Sequence, residues 1–238
     1  LEVSRKQRQP LEIDLPERRV RFDPDGAIAA IEQRQRLDSH RLIEAFMIAA
    51  NVCAAKTLSQ TRTAAMYRVH GEPERDSLVT LRDFLETLDL RIPKGQVLRP
   101  EHFNTVLRLA RGTEHEHLVN QVVLRAQAQA IYSPDNAGHF GLALGKYAHF
   151  TSPIRRYADL MVHRALIAAC KLGPDGEVLG IETLREIGAA ISTAERRGMA
   201  VEREALDRFI TAFMADRVGA TFAGRISGVP RFGLFVTL

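Results

Sequence analysis

Two arginines stand side by side in the run Ser152-Pro153-Ile154-Arg155-Arg156, with Asp159 and His163 close behind. A guanidinium is a planar fork that can grip two phosphate oxygens at once. Ser152 is a good helix N-cap, and Pro153 suits the first helical position. No glycine or proline follows before Gly173, so the pattern predicts a helix from this point to about Cys170. Both arginines then fall in its first turn, at the positive end of the helix dipole, where acids are favoured. A local rule broken without structural gain points to function. The free N–H groups of a helix start add to an anion site. At ~100° per residue, Ile154, Ala158, Met161, Ala165, Ala168 and Ala169 share an apolar stripe, while Arg155, Arg156, Asp159 and His163 share the opposite arc. Asp159 lies four residues after Arg155, at the spacing that could hold its guanidinium in place. The chemistry on offer is phosphate binding; the competing reading is a solvated face with one ion pair.

Other polar groups carry less. Asp23 and Asp25 have a metal-like spacing, but Asp23-Pro24-Asp25-Gly26 is fully explained as a turn. In Glu114-His115-Glu116-His117 the i, i+2 spacing does not set two imidazoles on one helix face, so a solvated turn is the better reading. His139 and His149 lie in segments that approach the arginines; each either touches a substrate or satisfies backbone groups, and the structural role is favoured. Cys53 and Cys170 sit in apolar helical runs and read as buried free thiols in a reducing cytoplasm.

The elements that must position these residues alternate between hairpins and helices. Val20-Arg21-Phe22, the turn and Ala27 to Ile31 form a hairpin. Asp38 to about Leu58 is helical, with Leu42, Ile43, Phe46, Met47, Ala50, Cys53 and Ala54 at 3–4 spacing. Tyr67 to His70 is extended. Helices are predicted over 75–89, over 100–111 with Gly112 as stop, and from Leu118 to about Ile131. Residues 181–217 are helical, with a break near Ser192, where Ser192-Thr193-Ala194-Glu195 has the capping-box pattern. Beyond it Met199, Leu206, Ile210, Phe213 and Met214 form an apolar face. From Gly219 the pattern changes to two strands, Phe222-Gly224-Ile226 and Phe232 to Leu238, joined by a bend at Gly228-Val229-Pro230-Arg231.

The 238 residues suffice for one large domain, or one domain and a small second one. A net charge of +4 and a pI near 9.3 lean mildly toward an anionic partner such as nucleic acid. No apolar run reaches the ~18 residues of a membrane span, and no signal peptide is visible. The chain begins at Leu1 and reads as an internal fragment.

The block His139-Phe140-Gly141-Leu142-Ala143-Leu144, then Tyr147-Ala148-His149-Phe150-Thr151-Ser152-Pro153-Ile154-Arg155-Arg156-Tyr157, then Asp159-Leu160 and His163-Arg164, resembles the signature of the ribonuclease II / ribonuclease R (RNB) exoribonucleases. Leu11 to Glu17, Leu42 to Asn51, and Tyr67-Arg68-Val69-His70 with Glu72-Pro73 are similar to further motifs of that family. The paired arginines and the Arg68–His70 segment fit the ribonuclease R branch better.

The resemblance implies an α+β fold: residues 1–217 as the mostly helical second half of an RNB catalytic domain, and 218–238 as the first strands of an S1 domain, a barrel of the OB type. It implies hydrolytic 3′-to-5′ degradation of single-stranded RNA to nucleoside 5′-monophosphates, in the cytoplasm and away from membranes. Arg155 would stabilise the scissile phosphate, Arg156 would support backbone phosphates, and Glu44 would position the terminal nucleotide. Asp159, His149 and Tyr157 join them as candidate substrate contacts. Family members often carry two consecutive acids where this chain has Glu44-Ala45. In the S1 segment Phe232 and Phe235 would stack on bases and Arg231 would meet the RNA backbone. The family's Mg²⁺ ligands belong to an upstream Asp-rich motif; no tight Asp cluster occurs here, so no metal ligand is expected in this chain, and the chain alone is expected to be inactive. The alternatives are a non-catalytic RNA-binding module or an inactive RNB relative and, from composition alone, a helical scaffold with a basic face.

Overall fold

The computed structural model describes residues 2–95, 97–228 and 233–237. The chain divides into two compact units: Leu1–Leu15 with Arg36–Arg197, and Pro16–Gln35 with Gly198–Leu238. Short antiparallel sheets and longer helices make an α+β fold, as the resemblance implies.

The first unit opens with α1 (Glu2–Arg8). An extended segment follows, in which Leu11 and Ile13 pack on a core formed by α3 (Arg75–Glu86), α4 (Pro100–Ala110) and α5 (Glu116–Ala126). Its backbone is held by side-chain amides: Glu12 N–H donates to Asn104 Oδ1 and Asp14 N–H to Asn120 Oδ1, both at 2.8 Å. Leu85, Phe103, Val106, Val119 and Val123 are fully buried there, each worth roughly 1.5–3 kcal/mol. The three helices lie near their expected positions, and Gly112 follows α4 in a left-handed conformation (φ 76°). The third helix ends at Ala126, earlier than expected, because Ile131–Ser133 leave it to form β4.

A second core in this unit joins α2 (Asp38–Gln60), β3 (Tyr67–Val69), β4, α6 (Tyr157–Cys170) and the start of α7 (Ile181–Ala215). β3 and β4 pair antiparallel, with Arg68 opposite Tyr132. α7 runs unbroken through Ser192, contrary to the predicted break. The buried Ser192 hydroxyl donates to Gly188 O (2.6 Å) and accepts from Tyr132 N–H (2.9 Å), so it ties the helix to β4 rather than capping a new one. Gly188 permits that approach: a Cβ there would lie 2.6 Å from the Tyr132 carbonyl oxygen.

α2 departs from expectation in two ways. Only its C-terminal half is buried, through Asn51, Ala54, Ala55 and Leu58, while Leu42, Ile43 and Phe46 are more than half exposed. By length and composition it is also apolar enough to cross a membrane, which the sequence reading had not anticipated. Cys53 and Cys170 are free and exposed rather than buried. Cys53 lies outside the buried set of α2, and Cys170 is the last residue of α6.

The second unit contains the hairpin β1 (Arg18–Phe22) and β2 (Ile28–Gln33), as predicted. Asp23 Oδ1 accepts from the N–H groups of Asp25 (3.0 Å) and Ala27 (2.8 Å), so this acid closes a turn. Phe22 meets Phe209 edge to face, with centroids 5.3 Å apart. Met199, expected on the apolar face of α7, is exposed. β5 (Arg225–Gly228) and β6 (Phe235–Thr237) pair antiparallel. Arg231 and Phe232 lie outside the described residues, as does the side chain of Phe235.

Candidate functional site

The segment Tyr147–Arg156 links the second core to α6 and carries the arginine pair. Ala148 is fully buried and Tyr147 nearly so. Tyr147 O accepts from Arg68 N–H at 2.9 Å, which fixes the segment to β3. Asn51 on α2 holds its middle. Oδ1 accepts from Phe150 N–H (2.9 Å) and Thr151 N–H (3.3 Å), and Nδ2 donates to the Tyr147 hydroxyl (2.9 Å). His163 Nε2 lies 2.8 Å from Phe150 O, and the two rings stack with centroids 4.3 Å apart.

Ser152 to Arg156 then form a turn, not the first turn of the helix. The N–H groups of Arg155 and Arg156 both donate to Ser152 O (3.3 and 3.1 Å). α6 starts at Tyr157 with Arg156 as its extended N-cap residue. This corrects the expected start at Ser152. Asp159 occupies the third helical position. Its Oδ1 accepts from Ser152 N–H (2.8 Å) and from Arg156 Nη2 (2.9 Å), and Arg156 Nε lies 2.8 Å from Oδ2 without an aligned hydrogen bond. An acid inside the first turn is favoured by the helix dipole, and here it offsets the Arg156 cation that stands at the N-cap. The expected conflict with the dipole is therefore offset at Arg156 by its partner, while Arg155 lies ahead of the helix.

The same geometry sorts the candidates. Asp159 has 0% exposure and pairs with Arg156, not with Arg155. It holds the turn and presents nothing to a ligand. Ile154, expected on the apolar stripe, is fully exposed, whereas Ala158, Met161 and Ala165 are buried as predicted. Arg155 is exposed, and its side chain has no hydrogen-bond or ion-pair partner among the described residues. Tyr157 is half exposed at the start of α6. Glu44, two turns before Asn51 on the same face of α2, forms an exposed ion pair with Arg36.

Behind the segment lies a polar layer that no short-range pattern announces. Arg68 makes a bidentate pair with Glu195 (2.6 and 3.0 Å), and its guanidinium sits 4.5 Å from the Tyr132 ring centroid. The Tyr132 hydroxyl lies 2.9 Å from His149 Nδ1. Burial, followed by the charges of Arg156 and Arg68, pushes His149 down to about 3. Burial, followed by His70 and Arg68, pushes His139 down to about 4. His70 is lowered chiefly by burial; its Nδ1 accepts from Gly141 N–H (2.8 Å) and its Nε2 lies 2.7 Å from Ala128 O. Burial keeps these imidazoles neutral near pH 7. His149 keeps only the partly exposed edge that its position allows.

The neutral histidines set a pH dependence. An unfolded chain takes up their protons below about pH 6.5, whereas the folded chain resists until near 4 for His139 and near 3 for His149. Stability is therefore complete above about pH 6.5 and falls as pH drops, by roughly 1.4 kcal/mol per pH unit for each group. Urea denaturation at pH 7 and pH 5 should show a loss of several kcal/mol. Equal stability at the two values would mean that these rings are charged in the fold.

No group of three or more His, Cys, Asp or Glu side chains suited to a metal ion occurs among the described residues. Glu114 and His115 lie in a turn before α5, as expected, while Glu116 and His117 already belong to the helix, where the Glu116 carboxylate accepts from Gly112 N–H (2.7 Å).

The profile of the RNB domain matches residues 1–171. This chain belongs to the RNB family. Among RNB relatives, ribonuclease R of Escherichia coli (strain K12) is 37% identical over 247 residues, covering 100% of this chain and 30% of the relative. Ribonuclease R of Aquifex aeolicus is 41% identical over 232 residues, covering 96% and 32%. The solved structure of Mycoplasma genitalium RNase R in complex with ribose methylated single-stranded RNA superposes with a TM-score of 0.88 at 26% identity, covering 99% of this chain and 37% of that one. The chain thus spans about a third of the length of the relatives it matches.

Sequence reasoning missed Asn51 and the Arg68–Glu195 pair. Asn51 carried a usable signal, as a lone amide within an apolar helical run. Arg68 and Glu195 stand 127 residues apart, and nothing local connects them.

Proposed function

We propose that this chain is the later part of the catalytic domain of a hydrolytic 3′-to-5′ exoribonuclease acting on single-stranded RNA, with Arg155 gripping the scissile phosphate. The observation that carries the reading is the unequal fate of the two arginines. Arg156 is neutralised by a buried carboxylate, while Arg155 projects from the same braced turn with its charge unspent. A guanidinium held out by a rigid backbone, with no partner of its own, is suited to an anion that arrives and leaves. Tyr157 beside it offers an exposed ring and hydroxyl, and Glu44 is placed to exchange Arg36 for the hydroxyls of a terminal nucleotide. Arg156 and His149 support the substrate indirectly, through the turn and the layer beneath it. Residues 218–238 begin an S1 domain, in which Arg231, Phe232 and Phe235 would meet RNA.

The relatives' kind of chemistry calls for metal ions, Mg²⁺ by this reading. The acidic residues described here do not form a site for one, so its carboxylates belong elsewhere in the protein. This chain's own part is to bind and orient the phosphate and to offset the charge that develops as the bond breaks.

The test uses the complete protein, Mg²⁺ and a 5′-labelled single-stranded oligoribonucleotide. Stepwise shortening from the 3′ end with release of 5′-mononucleotides is expected, and none from the isolated 238-residue chain. Tight binding without shortening would favour a non-catalytic RNA-binding module, and mononucleotide release by the isolated chain would show that the acids present here suffice.

A further inference from the structure

We infer that Asn51 is a positioning residue for Arg155, the amide through which α2 sets the turn that presents the guanidinium. The inference rests on the reading of Arg155 given above.

Asn51 is 2% exposed, in the part of α2 otherwise buried through alanine and leucine. Alanine would suit the helix better, because asparagine has the poorer propensity and its side chain competes for backbone hydrogen bonds. The side chain bonds nothing in its own helix. Among the described residues its three hydrogen bonds all go to one segment, at the Tyr147 hydroxyl and the amides of Phe150 and Thr151. An amide offers two donors and two acceptor lone pairs, so most of its capacity is used there. Because both neighbouring backbone groups are donors, the carbonyl end must face them, which fixes the orientation of the amide.

The direction of the chain makes this consequential. Thr151 N–H is bound by Asn51, and the next N–H, of Ser152, is bound by Asp159. The Ser152 carbonyl then closes the turn onto the N–H groups of Arg155 and Arg156. Asn51 and Asp159 therefore clamp consecutive peptide units from two different helices, just ahead of the exposed arginine. Asp159 also has Arg156 to hold. Asn51 has no other evident duty. Glu44 lies seven residues earlier on the same helical face, about 10 Å along the axis, so one rigid element locates both groups proposed to meet the substrate.

The experiment is a mutant cycle in the complete protein. It measures single-turnover trimming of a 5′-labelled single-stranded oligoribonucleotide and, separately, equilibrium binding of the same RNA without metal. Asn51→Ala is expected to slow trimming by about 10–100-fold, the scale of a misplacement near 1 Å, with affinity changed less than about 3-fold. Asn51→Asp keeps an acceptor for both amides and lets the Tyr147 hydroxyl turn donor, so most of the rate should return. Asn51→Ala added to Arg155→Ala should slow the reaction no further, because the two act as one unit. Wild-type trimming by Asn51→Ala, or full multiplication of the two losses, would overturn the inference while leaving Arg155 in its role. An undiminished rate for Arg155→Ala would instead remove the reading on which it rests. Should Asn51→Ala fail to fold, Asn51→Asp and Asn51→Ser carry the same cycle; a rate in Asn51→Asp as low as in Asn51→Ser would count against the acceptor role.

Discussion

In the complete protein, Arg155→Ala should slow RNA cleavage by about 100–1000-fold, the usual consequence of removing one donor aimed at developing negative charge. Affinity for RNA should fall less than about 10-fold, since an RNA strand meets many basic groups and each contributes only a share. The asymmetry follows from the geometry. Arg155 is exposed, partnerless among the described residues and mounted on a turn anchored at its entry, where Asn51 holds the Thr151 amide and Asp159 the Ser152 amide. It can meet a phosphate without first breaking an ion pair, and the turn does not have to reorganise as charge builds. Arg155→Lys should recover only part of the rate, because an ammonium supplies charge without the two-pronged fork. Single-turnover rates beside binding isotherms make the measurement. Equal losses in rate and affinity would reduce Arg155 to one more phosphate contact.

Asp159→Ala should cost on the order of 3–5 kcal/mol of stability, the range for breaking a buried ion pair from one side. The carboxylate is fully buried and holds both the Ser152 N–H and the Arg156 guanidinium. Its loss strands a charge that is only 24% exposed and a backbone donor beside it. Such a loss is a large part of the 5–15 kcal/mol that a typical domain has in total. Asp159→Asn should be milder, because an amide oxygen can still accept from Ser152. Urea unfolding of both variants would check this, and a loss below about 1 kcal/mol for Asp159→Ala would show that Arg156 finds another partner or water.

What could be read from the sequence depended on how local the cause was. The β1–β2 hairpin was legible because Asp23-Pro24-Asp25-Gly26 carries its own turn chemistry, including the Asp23 carboxylate that the turn uses. α3 and α4 were legible from apolar spacing and from Gly112. The start of α6 departs from the local signal of Ser152 and Pro153, because the chain closes Ser152–Arg156 as a separate turn and is extended at Arg156 before the helix begins. With α6 starting at Tyr157, Asp159 lies in its first turn and pairs with Arg156 rather than with Arg155. The break expected at Ser192 failed for a related reason, since its hydroxyl found the Gly188 carbonyl and a strand amide instead of capping a helix. α2 shows the limit of periodicity. Leu42, Ile43 and Phe46 have helical spacing, yet the spacing does not say whether anything covers them, and in this chain they are exposed. The Arg68–Glu195 pair joins β3 to α7 across the sequence, which no window could have shown.

In the function proposed above, Arg155, not Arg156, holds the phosphate being cut. A crystal structure of the complete protein with a bound oligoribonucleotide tests it most directly. A guanidinium nitrogen of Arg155 is expected within about 3 Å of a non-bridging oxygen of the phosphate next to the 3′-terminal nucleotide, with Arg156 still on Asp159. A 3′-terminal phosphate more than about 6 Å from Arg155, beyond any direct hydrogen bond, or one held by Arg156 after it leaves Asp159, would contradict it.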